Sequence, residues 1–453
     1  MKKTFNKILT AGVAALASVA LLTGCGTGGA GGGGTATPTT EDGRTVVTFW
    51  HSMGGVSGAE IDRIVTNFNN SQDGIEVRAY FQGEYEEALT TFHAIAGTAQ
   101  APAIMQVFDV GTMSIAQSGH IIPVQQFIDR DNHDISVIEA SIISYYQIGG
   151  QFYSIPFNSS TPVMYINMDA FRAAGLDPYS PPATFEAIEE AARVIVDSTD
   201  GAMRGFALNA WGWMWEQLLA NQGALLMNNN NGRTGTPTEV GYTFEEGYSI
   251  LSWIARMVAE GTFANYGGNW QDMYAGFFAE DVAMIICSSA SAVDMITNSP
   301  FEVGIAFMPH PANRSREGVV IGGASLWLVD HGDDDLHNAA WEFMKFVQRP
   351  EVQAQWHVGT GFLAINPAAY NEPVVIEAWE EMPQLRVTVD QLQATNVSYA
   401  TQGAIMDMIP FGRTIIETTF EDVFNGGDPT QALNTATDRL NAAIEEANLI
   451  RGS

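Results

Sequence analysis

Three tryptophans fall within five positions of the stretch LNAWGWMWEQ, at Trp211, Trp213 and Trp215. An indole covers C–H bonds with its face and donates one hydrogen bond from its edge. Such a run either wedges a core or covers the carbon skeleton of a polar ligand. Two polar side chains stand at element ends where a ligand could reach them: Asp109 after AIMQVF, and Tyr85 near the start of the helix in GEYEEAL. A carboxylate accepts hydrogen bonds from ligand hydroxyls, and serine and tyrosine hydroxyls both donate and accept. The sequence contains no GxSxG, HExxH, paired CxxC, phosphate-binding P-loop or EF-hand motif. No catalytic residue, metal ligand or cofactor is therefore expected. With 51 acidic residues, nominating two carboxylates as an acid–base pair carries no information without geometry. DHGDDD (330–335) reads as a turn capping the next helix rather than a calcium loop.

The chain starts with a short basic stretch bearing Lys2, Lys3 and Lys7, followed by the apolar run ILTAGVAALASVALL and then LTGC, ending at Cys25. That run is too short for a comfortable membrane span and fits a secretory signal over 1–24. LTGC resembles a bacterial lipobox, which implies cleavage before Cys25 and lipid attachment to its sulfur. Residues 25–44, rich in glycine and small polar side chains, read as a lipid-anchored tether. The remaining cysteine, Cys287, lies in an apolar run and is expected to be a small buried hydrophobe. A net charge of −31 argues against nucleic acid as a partner.

These side chains must be positioned by alternating elements. VVTFWHS, IEVRAYF and AIMQVFDV read as strands. The helices between them are GAEIDRIVTNFNNSQ, with Ile61, Ile64, Val65 and Phe68 at helical spacing, and EYEEALTTFHAIAGT. The β-α-β-α-β order predicts an α/β sheet with ligands beyond the carboxyl ends of its strands, where Asp109 lies. QFYSIPFNSSTPVMYIN (151–167) reads as two short strands joined through Pro156 and a polar turn from Asn158 to Thr161, as at a crossing between lobes. VVIGGASLWLVD reads as a strand interrupted by a glycine pair, marking close backbone approach or a second crossing. A body of this length exceeds one ordinary core.

FWHSMGG, GEYEEAL, APAIMQVFDVGT, PFNSSTPVMYIN, AFRAAGLDP, VIGGASLW and AAWEFMKFVQRPEVQAQWHVGTGFL occur in this order. Together they resemble the substrate-binding lipoproteins of ABC importers, extracellular solute-binding protein family 1, and in particular its sn-glycerol-3-phosphate-binding branch. The resemblance implies an α/β, two-lobe periplasmic-binding-protein fold of type II, hinged, with the ligand in the interlobe cleft. Lobe 1 is expected over 45–157 and 288–322, and lobe 2 over 158–287 and 323–453. Carried over position by position, the resemblance implies ligand contacts from Tyr85, Asp109, Ser160, Ser288, Gly323 and Phe362. Its tryptophan pair falls on Trp211 and Trp213, leaving Trp215 to packing. Two departures stand out. The branch's tyrosine in TGYLP is Phe362 here, and its phosphate-binding arginine is Ile405; Arg413 matches a different, structural arginine. The implied role is the extracytoplasmic receptor of an ABC importer, lipid-anchored at the cell membrane (periplasm or outer face) and monomeric. It would capture a sugar, a glycerophosphodiester or glycerol 3-phosphate by lobe closure and deliver it to the permease subunits. The alternatives are a secreted glycan-cleaving enzyme and a surface sensor or adhesin acting without a transporter.

Overall fold

In the computed structural model, which describes residues 37–452, the first sheet has the order β2-β1-β3-β12-β4, with β7 also pairing β12. Its strands are β1 (Thr45–His51), β2 (Ile75–Phe81), β3 (Ile104–Phe108), β4 (Ile121–Ile122), β7 (Ser154–Ser160) and β12 (Gly322–Val329). β1 runs parallel to β2 and β3, whereas β12 is antiparallel to β3, β4 and β7. Every residue of β3 is buried, as continuous apolar strands covered on both faces require. The helix Gly55–Ser71 turns Ile61, Ile64, Val65 and Phe68 inward, as their spacing predicts. A small hairpin, β5 (Gln147–Ile148) with β6 (Gln151–Phe152), precedes β7.

The second sheet has the order β11-β8-β10-β9, from β8 (Pro162–Asn167), β9 (Arg204–Leu208), β10 (Val282–Ser288) and β11 (Val303–Ala306). The chain passes from one sheet to the other at Thr161, the single residue between β7 and β8. The Thr161 carbonyl accepts from Ser289 N at 2.7 Å, and its N–H donates to Ser289 Oγ at 3.1 Å. Asn158, Ser159 and Ser160 are therefore strand, not the turn expected from their composition, because they pair with Ala324, Gly323 and Gly322.

Strand pairing also redraws the lobes. Residues 303–306 were expected in lobe 1, yet β11 pairs β8 in the second sheet. Residues after 322 were expected in lobe 2, yet β12 is inserted between β3 and β7 in the first. Asp334–Phe346 and Pro350–Thr360 follow it, placing Trp341, Phe343 and Trp356 in the same core as Phe49 and Phe68. An apolar run such as SLWLV is satisfied wherever both its faces are covered, so its composition does not name its neighbours. The final helices, Ile409–Phe424 and Pro429–Gly452, return to the second lobe and pack on Gly212–Asn221 and Phe244–Ala259. At the other end, Val46 N donates to the Pro38 carbonyl at 2.8 Å, so backbone pairing begins before residue 45. The leader, Cys25 and residues 25–36 of the tether lie outside the described residues.

At the start of β12, Gly323 adopts φ +102, and a Cβ there would run into the Asn158 carbonyl oxygen. Gly332 also has positive φ (+65), but nothing lies within 4 Å of a Cβ there. Gly332→Ala is expected to destabilise by about 1–2 kcal/mol, the penalty of left-handed backbone. Gly323→Ala, which adds a steric clash, should exceed 2 kcal/mol by roughly the usual margin of a large single-site effect. Urea unfolding midpoints of the two variants measure the difference.

Candidate functional site

Tyr85 opens the helix Tyr85–Ile95, whose first turn is closed by a reciprocal capping box between Glu84 and Glu87. This fixes where the phenol starts, and Phe108, at the end of β3, fixes how it lies. The two rings stack with centroids 5.3 Å apart and planes 5° from parallel. Tyr85 Oη accepts from Asn158 Nδ2 at 2.9 Å. Burial raises the Tyr85 pKa above the usual phenol range, so the hydroxyl keeps its proton.

Asp109 follows β3 directly and is 5% exposed. One carboxylate oxygen accepts from Val110 N at 2.7 Å, and the other lies 3.5 Å from Arg413 Nη2. Arg413 belongs to the helix Ile409–Phe424 and donates to both carboxylate oxygens of Glu216, from Nε at 2.7 Å and from Nη2 at 3.0 Å. Glu216 sits in Gly212–Asn221, within the tryptophan-rich stretch. These two helices approach closely at Gly212, where a Cβ would stand 2.5 Å from Arg413 Cα. One buried guanidinium therefore joins a carboxylate of the second lobe to a carboxylate of the first. Burial raises the Glu216 pKa, with Arg413 opposing the shift.

The three tryptophans have separate surroundings. Trp211, half-buried, caps the start of its helix, meets Trp270 edge to face at 5.0 Å and lies 5.8 Å below the Arg413 guanidinium. Trp213 is 2% exposed, and its indole N–H has no protein partner; a Cβ on Gly322 would lie 2.7 Å from its ring. Trp215 meets the edges of Tyr242 and Phe420 in the second-lobe core, the packing role expected of it.

The other expected contacts stand along the same junction. Ser160 is buried and pairs with Gly322, and Gly323 pairs with Ser159. Ser288 ends β10, with its side chain accepting from Ala290 N at 3.2 Å. Phe362 stacks on Trp356 at 5.6 Å, and the adjoining Leu363 N donates to the Ser159 carbonyl at 2.8 Å. Ile405 is buried, with its N–H donated to the Asn231 carbonyl. Arg233 in this region is spent on backbone carbonyls, among them Gly403 and Tyr145.

Sequence reasoning missed four polar residues. Glu216 lay inside the quoted stretch but carried no pairing signal, and Arg413 was set aside as structural. Asn158 was read as a turn residue. Asn209 is fully buried, with both polar atoms of its side chain lacking a protein partner. It stands one residue past Leu208, where β9 pairs Ile286 of β10, close to the strand end that carries Ser288. A buried amide left unpaired costs about 1–3 kcal/mol, so such a group at a strand end marks a place for a polar guest. Among the described residues there is no cluster of three or more potential metal ligands and no helix long and apolar enough to cross a membrane. Asp333 caps the helix Asp334–Phe346, which begins within DHGDDD, the capping role expected of that turn.

Two α/β lobes meeting over hydroxyl, carboxylate and indole side chains define a solute receptor of the two-lobe, type II periplasmic-binding class. The sequence profile of the bacterial extracellular solute-binding proteins matches residues 63–384, and the chain belongs to that family. It is similar to the sn-glycerol-3-phosphate-binding periplasmic protein UgpB of Yersinia enterocolitica, 34% identical over 403 residues that span 87% of this chain and 91% of the relative. UgpB of Salmonella typhimurium is 33% identical over 408 residues, covering 88% and 92% of the two chains. Among solved structures, the cyclic alpha-maltosyl-1,6-maltose binding protein from Arthrobacter globiformis superimposes with a TM-score of 0.76 at 21% identity, over 89% of this chain and 100% of that one. UgpB from Mycobacterium tuberculosis in complex with glycerophosphocholine gives 0.74 at 20%, over 89% and 99%. The chain is the extracytoplasmic solute-binding component of an ABC importer.

Arg413→Met would leave the two carboxylates buried without their shared cation, a change expected to destabilise by about 3–5 kcal/mol at neutral pH. The Glu216 pKa would then rise further, so the folded variant binds a proton more tightly than its unfolded chain. Stability contributed by such a group is present at acid pH and lost as pH rises past the ordinary carboxylate range. The deficit relative to wild type should accordingly shrink on acidification, as read from urea unfolding at two pH values.

Proposed function

We propose that the solute is a neutral, carbohydrate-like or polyol-like molecule, bound intact. The carrying observation is that the Arg413 guanidinium is held by Glu216 and Asp109, while Ile405 replaces the branch's phosphate arginine. A charge-assisted hydrogen bond contributes about 1.5–3 kcal/mol, so losing that arginine disfavours a phosphate monoester. Hydroxyl groups suit what is present: the Asp109 carboxylate, Ser160, Ser288, the unpaired Asn209 amide and the free Trp213 N–H. Trp211 and Trp213 cover the carbon skeleton. The open form binds solute on one lobe, and contacts from the other favour closure about the Thr161 crossing. The permease reads the closed form. Acyl chains on Cys25 hold the monomeric receptor at the membrane, and no covalent chemistry is involved.

Thermal-shift measurements on the unlipidated body test the solute class, using maltose, longer maltooligosaccharides, ribitol, glycerophosphocholine and glycerol 3-phosphate. A neutral member should raise Tm most and be recovered unchanged. The largest shift from glycerol 3-phosphate would overturn this ranking, and a cleaved sugar would restore the enzyme reading. Trp211→Ala and Trp213→Ala should each weaken the stabilising solute about tenfold, consistent with the loss of an aromatic contact and its buried area; unchanged affinity in both would remove the stacking role.

A further inference from the structure

A chain of hydrogen bonds runs through the first lobe to Tyr85, and its direction is fixed at its origin. Ser52 N, a backbone donor, is 2.8 Å from Gln106 Oε1. Gln106 is 1% exposed and sits within β3. Because its oxygen must face the Ser52 N–H, its Nε2 faces Asn158 Oδ1, at 2.8 Å. Asn158, itself fully buried, must then turn its Nδ2 to Tyr85 Oη, at 2.9 Å. A backbone N–H cannot reverse its polarity, and each side-chain amide passes that polarity on, because an amide has one accepting and one donating end.

We propose that Gln106 and Asn158 are positioning residues that make Tyr85 a hydrogen-bond donor to the solute. With its oxygen already accepting from Asn158, the phenol has its proton left to give, and among the described residues no acceptor takes it. The solute group opposite Tyr85 is then an oxygen that offers a lone pair: a ring or glycosidic ether oxygen, or a hydroxyl whose own proton goes elsewhere. Asp109, nearby, supplies the complementary acceptor. Together they read a carbohydrate's direction: one hydroxyl giving its proton to the carboxylate, and one oxygen receiving the proton of the phenol. This inference rests on the carbohydrate-like reading above for the identity of the solute, but not for the polarity of Tyr85.

The polarity is testable without a solute. The C–O stretch of a phenol shifts in opposite directions when the hydroxyl donates and when it accepts. Isotope-edited infrared difference spectra, wild type minus Tyr85→Phe with labelled tyrosine, isolate this one ring. The expected band in the solute-free protein is that of a hydroxyl that accepts, whether or not it also donates to water; the band of a hydroxyl that donates without accepting would overturn the proposal. Gln106→Glu keeps the shape but, when ionised, accepts at both ends, which turns Asn158 round and makes Tyr85 donate inward. A buried glutamate ionises late, so the donor band is expected at about pH 9 and the wild-type band at about pH 5. An unchanged band in the folded variant at the higher pH would break the relay. If this variant does not fold, Asn158→Asp makes the same exchange one bond nearer to Tyr85. Maltose affinity should fall about tenfold in Gln106→Glu at the higher pH, as loss of one hydrogen bond predicts, and recover at the lower. If wild type binds none of maltose, longer maltooligosaccharides and ribitol, the solute reading is what fails, and the infrared band still decides the polarity.

Discussion

One buried cation joins the two lobes of this receptor. Arg413 belongs to the second lobe, is grasped there by both oxygens of Glu216, and still reaches Asp109 at the end of a first-lobe strand. Withdrawing three charges from water is costly, and their attraction compensates only where geometry is good. The contact to Glu216 is short and two-pronged, whereas that to Asp109 is long and single. The stronger half therefore lies inside one lobe, and the weaker half lies across the gap that must open. This asymmetry suits a receptor that has to part its lobes without dismantling either.

The same division appears in the backbone. β7 and β8 are adjacent in sequence but belong to different sheets, separated by Thr161 alone. Rotation about so short a link moves two rigid bodies with little internal rearrangement. β12 holds the first-lobe side of the crossing by pairing with Asn158, Ser159 and Ser160; it comes close enough to them because Gly323 lacks a side chain, while the bare Gly322 leaves room for the Trp213 ring. The strand that ends in Ser160 thus both lines the lobe junction and leads into the crossing. Ser160 is fixed by the strand that leads into the crossing between the lobes.

The first three strands and their helices were legible because each carries its own period, with apolar runs for the strands and Ile61, Ile64, Val65 and Phe68 at helical spacing. What the sequence did not disclose was partnership across long separations. β12 joins β3 from more than two hundred residues away, and nothing in GGASLWLV distinguishes an antiparallel insertion into the first sheet from membership of the second. The site divides similarly. Tyr85, Asp109, Ser160 and Ser288 were nominated through family motifs, and each lies at the end of a strand or the start of a helix. Glu216, Arg413 and the Gln106–Asn158 pair were not, because their meaning lies in mutual geometry: a guanidinium between two acids, and amides whose orientation is set by a backbone N–H.

The three closely spaced tryptophans have divided roles. Trp215 supports the second-lobe core, Trp213 presses on the glycine that begins β12, and Trp211 lies under Arg413 at the seam. The last placement gives the molecule an optical signature. An indole beside a guanidinium whose second partner stands on the opposite lobe experiences a different local electric field when that partner departs, and its excited state responds to such fields. With ten tryptophans in the chain, the emission of this ring, isolated as the difference between wild type and Trp211→Phe, is thus a gauge of gape that needs no attached dye.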